Sequence, residues 1–521
     1  MSPQISSIKK IEPRLRPFLP ADLYVSAWVD PSPTTLEKVF GHLRTLQRVL
    51  YDYSSHHLAE NPPQPGVVRQ KWQRGTLIFT DLAGFTHLME ANAKKGQAGA
   101  ASLLKVLNKY FADMIEIVSK SGGDLLEFTG DAILVLFPAD QEKSDLRKAI
   151  RAGLRMQRAM KKYEDIETPQ GNLYLGMRIG IHRGKFLVAD VGTPRRMEHI
   201  LLGGAVQKAK LAEGAGKVGR VCLTESAFVQ VKEDFEFEEH IAQNNENYKL
   251  VIDNFSDKEL GEYELSSLAR KRLFSAILVD KSVQALVTEI TQILDSIEPL
   301  ASFIPSPVLN LLVESAAKRR IKPDFPTPTV IFVNLVGLPE LVDRALPGEE
   351  LKIVNTLSKV VARINAAVEE QGGVLKKVTY HVSGSDMVIY FGVLNAHTND
   401  QIRAATTALK IREIIEKVKI SSVGGVSIDA TCQIGINFGP AFSAEVGEPN
   451  GRREFNLLSD TVNVAARLMD KAKPNQILVS RSVHEKIKDD FSSVHLGDVA
   501  LKGKGAPVPI FELNVKHKPA T

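Results

Sequence analysis

The chain has 521 residues, 44% hydrophobic and 24% charged, the profile of a globular protein with room for roughly two to four domains. Its 66 basic and 61 acidic side chains leave a formal charge of +5, too small a bias at this length for a nucleic-acid footprint. Two cysteines, Cys222 and Cys432, exclude a disulfide framework; the first residues lack the apolar core of a signal peptide and no run approaches the length of a membrane span, so a cytoplasmic location is expected.

Residues 1–74 are read as a separate N-terminal region, closed by the turn-rich NPPQPG at Asn61–Gly66. Within it Leu36, Phe40, Leu43, Leu46 and Leu50 form an apolar stripe at helical spacing, with Thr34 or Thr35 expected near the cap. His56 and His57 are adjacent, share no helical face, and are assigned nothing. From Thr76 to Thr80 a β-branched run predicts a buried strand that hands over at Asp81 to the loop LAGFT. Leu103, Leu107, Phe111, Ile115 and Val118 then recur at helical spacing until Gly122 and Gly123 stop the helix. Two strands, LLEF and AILVLF, follow around a tight turn at Thr129 and Gly130, which leaves Asp131 at the hairpin tip. In a β-α-β-β unit of ferredoxin-like type the first and third strands lie side by side, so Asp81 and Asp131 are expected to share one edge. Paired carboxylates beside a glycine-containing loop suit magnesium and phosphate, although aspartate is also ordinary after strands and in turns.

A helix through Ile150, Leu154, Met156 and Met160, a strand at MRIGIHRG (Met177–Gly184) and a loop entering a helix at Ile200–Ala215 complete a first domain, 75–265. Residues 266–328 read as a helical connector broken at Pro305, Pro307, Pro323, Pro326 and Pro328. A second domain, 329–515, then repeats the first. TVIFVNLVG at Thr329–Gly337 echoes TLIFTDLAG, a helix through Leu357, Val361, Ile364 and Val368 ends at Gly372 and Gly373, and QIGINFG at Gln433–Gly439 echoes RIGIHRG. The copies have diverged in complementary ways. Asp81 corresponds to Asn334, and Asp131 falls opposite Ser385, with Asp386 one place off and so on the other strand face. Conversely Lys377 stands opposite Glu127, and RREFNLLSDTVNVAARL (Arg452–Leu468) sets Asn463 and Arg467 four apart on one helical face where the first copy has GGAVQKAKL.

FTDLAGFT and EFTGDAILVLF closely resemble the two metal motifs of class III nucleotidyl cyclases, and the tandem without membrane spans is similar to the catalytic part of bicarbonate-responsive soluble adenylyl cyclases. The resemblance implies an α+β fold of two ferredoxin-like (βαββαβ) domains, packed as a pseudo-two-fold pair with one composite site at their interface. It implies that Asp81, Asp131 and the Leu82 carbonyl hold two Mg2+ or Mn2+ ions, and that the amides of Gly84, Phe85 and Thr86 receive the terminal phosphates. By the same resemblance Lys377 and Asn456 face the base, Asn463 orients the ribose, Arg467 meets the charge developing on the α-phosphate, and Lys185 and Lys502 are basic phosphate contacts. Lysine and asparagine at the base favour ATP over GTP, because lysine donates to a ring nitrogen and the amide oxygen accepts from the exocyclic amine. Bicarbonate at the degenerate half is a weaker expectation, since Glu127 occupies the place of the family's lysine there, with Lys210 nearby. A silent nucleotide-binding module of the same fold, a guanylyl cyclase and a diguanylate cyclase, suggested by GGDLLEF, are the alternatives.

Overall fold

In the computed structural model the residues described are 3–85, 88–89, 92, 96–140, 144–168, 171–242, 245–261, 280–316, 321–423, 426–448, 451–500 and 507–516. Four helices open the chain: α1 (Pro3–Leu15), α2 (Ala21–Val29), α3 (Pro33–Asp52) and α4 (His56–Glu60). The apolar stripe of α3 is buried as expected, but Ser32 and not a threonine caps it, its hydroxyl accepting from Thr35 N, while Pro33 takes the first helical position where no N–H is needed.

The first sheet domain comprises β1 (Arg69–Ala83), α5 (Gly96–Lys120), β2 (Asp124–Thr129), β3 (Ala132–Pro138), α6 (Asp145–Met160), β4 (Gly176–Thr193), β5 (Arg196–Leu202), α7 (Gly204–Ala215), β6 (Val221–Thr224), β7 (Phe237–Ile241) and β8 (Asn247–Val251). Its sheet runs β2-β3-β1-β4-β6-β8-β7, with β5 pairing on β4. The central strand β1 is longer than the sequence suggests at both ends. It starts at Arg69, within the stretch read as the N-terminal region, and keeps Asp81 inside the strand, because β4 pairs with it along its whole length. Two connector helices follow, α8 (Val283–Ala301) and α9 (Ser306–Ser315). The second sheet domain repeats the plan with β9 (Thr329–Val336), α10 (Glu350–Glu370), β10 (Val374–His381), β11 (Gly384–Phe391), α11 (Asp400–Glu416), β12 (Thr431–Phe438), β13 (Phe442–Gly447), β14 (Arg453–Leu458), α12 (Asp460–Lys471), β15 (Gln476–Ser480), β16 (Phe491–Val499) and β17 (Val508–Lys516), its sheet running β10-β11-β9-β12-β15-β17-β16.

The two domains exchange arms. Phe442, Ala444, Val446 and Leu458 of the β13–β14 hairpin belong to the core built on α5 of the first domain. Reciprocally, Leu187, Ala189, Val191, Ile200 and Leu202 of the β4–β5 hairpin belong to the core built on α10 of the second. Each fully buried aliphatic or aromatic side chain contributes about 1.5–3 kcal/mol, so neither domain keeps its core if the pair is parted. The N-terminal helices and the connector are one lobe, for Leu36, Leu43, Leu46 and Leu50 pack with Leu286, Ile290, Leu294 and Ile297. Cys222 and Cys432 are free and buried, and among the described residues no helix is long and apolar enough to cross a membrane.

Close helix-on-sheet contact sets a glycine requirement in each copy. A Cβ on Gly180 would lie 2.0 Å from Glu213 N, and one on Gly435 would lie 2.2 Å from Ala465 O, whereas one on Gly41 in α3 would meet nothing within 4 Å. Thermal unfolding should therefore show Gly435→Ala destabilised by about 1–3 kcal/mol through overpacking, and Gly41→Ala stabilised by about 0.5–1 kcal/mol through helix propensity. Unchanged midpoints in both would contradict this packing.

Candidate functional site at the domain interface

At the carboxylate edge, Asp81 lies opposite Arg178 of β4, and Arg178 Nη2 donates to Asp81 Oδ2. Extending the β1/β3 register by three residues sets Asp131, at the β2–β3 tip, opposite Leu82. Desolvation at the tip, followed by the charge of Asp81, pushes the Asp131 carboxyl up to about 7. Two carboxylates that repel each other in a desolvated corner call for a cation, and the Arg178 guanidinium supplies part of that charge. Glu213, fully buried on α7, accepts from Lys210 at 2.7 Å and lies 3.3 Å from Arg178 Nε. Magnesium takes one or two carboxylates and completes its shell with phosphate and water, so this donor set fits the ion. Gly84 has φ +91° and a Cβ there would sit 2.1 Å from Tyr174 O, so only glycine turns the chain out of β1 at this point. Leu88 N donates to Gly84 O, which opens a helical turn directly after the strand. Phe85 is buried in the first core, and Thr86 lies outside the described residues.

The second copy is different at each of these places. Asn334 Nδ2 donates to Gln433 Oε1 at 2.9 Å where the first copy has Asp81 and Arg178, so a charged pair has become an amide pair. The β10–β11 hairpin runs on through Tyr380↔Ser385 and His381↔Gly384, which turns the position of Asp131 into the mid-strand Ser385. Asp386, one place along β11 from Ser385, falls on the other face of the strand, where it is buried and its carboxyl pushed up to about 7. Among the described residues no three His, Cys, Asp or Glu side chains are grouped as a metal-binding cluster.

The residues expected at the base come from the second copy, and Lys377 among them touches the first. β2 and β10 carry the same bulge, between Leu125 and Glu127 and between Leu375 and Lys377, which makes Glu127 and Lys377 structural equivalents. Lys377 Nζ lies 3.0 Å from Glu127 Oε1 and 3.3 Å from Glu454 Oε1, and donates to Phe128 O. Burial works against its charge, and Glu127 and then Glu454 outweigh that and raise its pKa. Glu454 and Asn456 sit two apart on β14 and so share a face. Asn456 is buried and its Nδ2 makes no hydrogen bond, and the half-buried Arg467 has an Nη1 that makes none either, with Asp460 Oδ1 3.8 Å away. Such orphaned donors are expected where a ligand completes the network. Asn463 is exposed one turn before Arg467 on α12, whose N-terminus follows Leu458, and Leu458 Cδ2 lies 4.0 Å from where a Cβ on Gly130 would be. Lys377, Asn456 and the start of α12 thus lie against the hairpin that carries Asp131.

Of the two further basic residues expected at the phosphates, Lys185 does not join this group. Lys185 pairs in register with Arg74, seven residues along β4 from Arg178, about 23 Å at the strand rise. It is exposed, with its ammonium 4.1 Å from the Trp72 ring centroid. It is Arg178, not Lys185, that stands beside Asp81, and the exchange of Asp81 and Arg178 for Asn334 and Gln433 between the copies was the signal in the sequence. Lys502 lies outside the described residues. Sequence reasoning also missed Lys376 and Glu454, which meet at 2.6 Å behind Lys377 and line, with Glu127, Arg196, Glu198 and Ser55, a cavity of about 110 Å³.

A family model described as Adenylate and Guanylate cyclase catalytic domain matches residues 67–247 and again 322–513. The chain is similar to Adenylate cyclase type 10 of Mus musculus, 23% identical over 424 residues that cover 78% of this chain and 24% of that protein. It is also similar to Adenylate cyclase of Anabaena cylindrica, 32% identical over 149 residues covering 28% of each. The chain thus spans about a quarter of the length of the type 10 relative. Among solved structures it is similar in fold to a Class III adenylyl cyclase-like ATP-binding protein from Pseudomonas aeruginosa, with a TM-score of 0.55, 13% identity, and coverage of 86% of this chain and 93% of that one.

Glu454 offers a test of the interface electrostatics. Burial pushes its carboxyl up, yet Lys376, Lys377 and Arg452 together hold it down at about 2, against 4.5 unperturbed. A depressed carboxylate stabilises fully above the unfolded value and loses that contribution as the pH falls from 4.5 toward 2. Glu454→Gln should be less stable than the parent by about 3–5 kcal/mol at pH 7, where it strands buried cations, and the gap should close as denaturation is followed down to pH 3. A gap that stays constant over that range would show that Glu454 is not held ionised by these partners.

Proposed function

The chain belongs to the adenylate and guanylate cyclase catalytic-domain family and carries that domain twice, and on this premise we propose that it converts ATP to cyclic AMP and pyrophosphate at a single composite site between its two copies. The observation that carries the reading is the reach of Lys377, from the second copy, to Glu127 and Phe128 O on the hairpin that bears Asp131 of the first. Neither copy has both halves of the chemistry.

In this reading Asp81, Asp131 and the Leu82 carbonyl hold two magnesium or manganese ions. When bound, these ions supply the charge that neutralises the phosphates and lowers the pKa of the ribose 3′-hydroxyl. The amides of Gly84, Phe85 and Thr86 receive the terminal phosphates at a helix start. Arg178, whose guanidinium donates to Asp81 Oδ2, would offer a planar, permanently charged fork to the same phosphates. Lys377 and Asn456 hold the base, with the lysine donating to a ring nitrogen and the amide accepting from the exocyclic amine. Asn463 orients the ribose so that its 3′-oxygen stands in line with the α-phosphorus, which converts a bimolecular encounter into an oriented intramolecular one. Arg467, whose Nη1 makes no protein hydrogen bond, stabilises the negative charge that grows on the α-phosphate as pyrophosphate leaves. ATP is preferred on the character of Lys377 and of the adenylate cyclase relatives. Bicarbonate at the degenerate half draws no support, since Glu127 is engaged with Lys377 and Lys210 with Glu213.

Mass analysis of products after incubation with ATP or GTP and Mn2+ tests the reading directly. Cyclic AMP should form from ATP in the parent chain. Asp81→Ala should reduce turnover by at least about 10³-fold while leaving thermal unfolding unchanged, and Arg467→Ala should lower kcat by about 10²–10³-fold, the range for losing a transition-state donor. Nucleotide binding with no cyclic product from either nucleotide would identify a silent module instead.

A further inference from the structure

We propose that Glu127 of the first domain is a positioning residue acting across the interface on Lys377, an inference that rests on the assignment of Lys377 to the base. By sequence Glu127 looks like the remnant of a lysine in a degenerate half-site. Its place in the structure is different. Because β2 and β10 share a bulge and a register, Glu127 and Lys377 are mates about the pseudo-axis, and mates meet only close to that axis. They meet at 3.0 Å, both largely buried. Two lysines here would repel each other in a desolvated interface, whereas glutamate in one copy turns that repulsion into an ion pair.

A lysine ammonium has three N–H donors. In Lys377 two of them go to Phe128 O and Glu454 Oε1, while Glu127 Oε1 lies 3.0 Å away as an ion-pair partner, so all three contacts surround the ammonium and a base must enter by replacing one of them. The three contacts are not equally easy to leave. Glu454 is the farther carboxylate from Lys377, at 3.3 Å, and keeps Lys376 at 2.6 Å and Arg452 at 3.8 Å if Lys377 departs. Among the described residues Lys377 is the one cation within ion-pair distance of Glu127, and Glu127 Oε1 makes no hydrogen bond. Leaving Glu127 strands a buried carboxylate, while leaving Glu454 does not. Lys377 therefore exchanges Glu454 for the ring nitrogen and stays tethered to Glu127 and Phe128 O. Both tethers belong to the first domain, so the lysine is aimed at the base only while the two domains are closed on each other.

Steady-state kinetics of the full chain with ATP and Mn2+ test this. Glu127→Gln should raise KM about 10-fold with kcat changed less than about 2-fold, the size of a single lost coupling, with the half-saturating Mn2+ concentration unchanged. Glu127→Asp, which keeps the charge, should recover part of that loss. Lys377→Ala should raise KM on its own, and the double variant Glu127→Gln, Lys377→Ala should be no worse than Lys377→Ala. A wild-type KM in Glu127→Gln, or losses that multiply in the double variant, would overturn the positioning role. An unaltered KM in Lys377→Ala would instead remove the base assignment beneath it, a distinguishable failure.

Discussion

Two arginines hold the interface on which the site depends. Arg196 Nη2 donates to Lys376 O at 3.0 Å and Arg452 Nη2 donates to Leu126 O at 3.3 Å, so each copy grips the bulge carbonyl of the other. Each also donates to the carbonyl of its own next residue and to one from the helical lobe, Phe303 for Arg196 and Tyr53 for Arg452. A bulge leaves a carbonyl out of the strand ladder, and a buried carbonyl without a partner is costly. The arginines satisfy that demand across the pseudo-axis and in doing so fix the distance between Glu127 and Lys377.

Around this symmetric frame the charges are deliberately unequal. Glu198 and Glu454 occupy matching positions on β5 and β14. Glu454 has three cations about it and is held at about 2, whereas burial dominates at Glu198 and Arg196 only partly offsets it, leaving it at about 7. The difference follows from Lys376 and Lys377 standing where the first copy has Leu126 and Glu127. The changes of Asp81 to Asn334 in one copy and of Lys377 to Glu127 in the other are thus two sides of one unequal arrangement of charge about a symmetric frame.

The helical lobe is tied into the same interface. Asp52 and Tyr53, at the end of α3, meet Arg453 at 2.7 Å and Glu445 at 2.7 Å on the β13–β14 arm, and Asp124 at the start of β2 accepts from His56 N and His57 N at 3.0 Å. The adjacent histidines therefore have a structural part to play through their backbone, one that no side-chain pattern signals. Arg453, Asp52 and Glu445 are all buried, so this latch excludes water and resists slippage between the lobe and the arm.

Local chemistry along the chain was enough for much of this. β-branched runs, helical stripes ending at Gly122 and Gly372, and the repeat of TLIFTDLAG as TVIFVNLVG determined two α+β copies, because strand and helix periodicity is a property of neighbours. The same repeat marked Asp81, Asp131, Lys377, Asn463 and Arg467 by their differences between copies, and the family resemblance added Asn456. What only the tertiary structure decided depends on partners remote in sequence. β1 and β4 extend to their full length because each pairs with the other. Lys185 is carried some seven residues past the carboxylate edge, and Arg178 is set on Asp81, by a strand register that no spacing within either segment specifies. Glu127 and Lys377 meet because two hairpins are brought onto one pseudo-axis by arms exchanged between domains, and electrostatics in a desolvated interface then makes a partner of a residue that in sequence resembles a vestige.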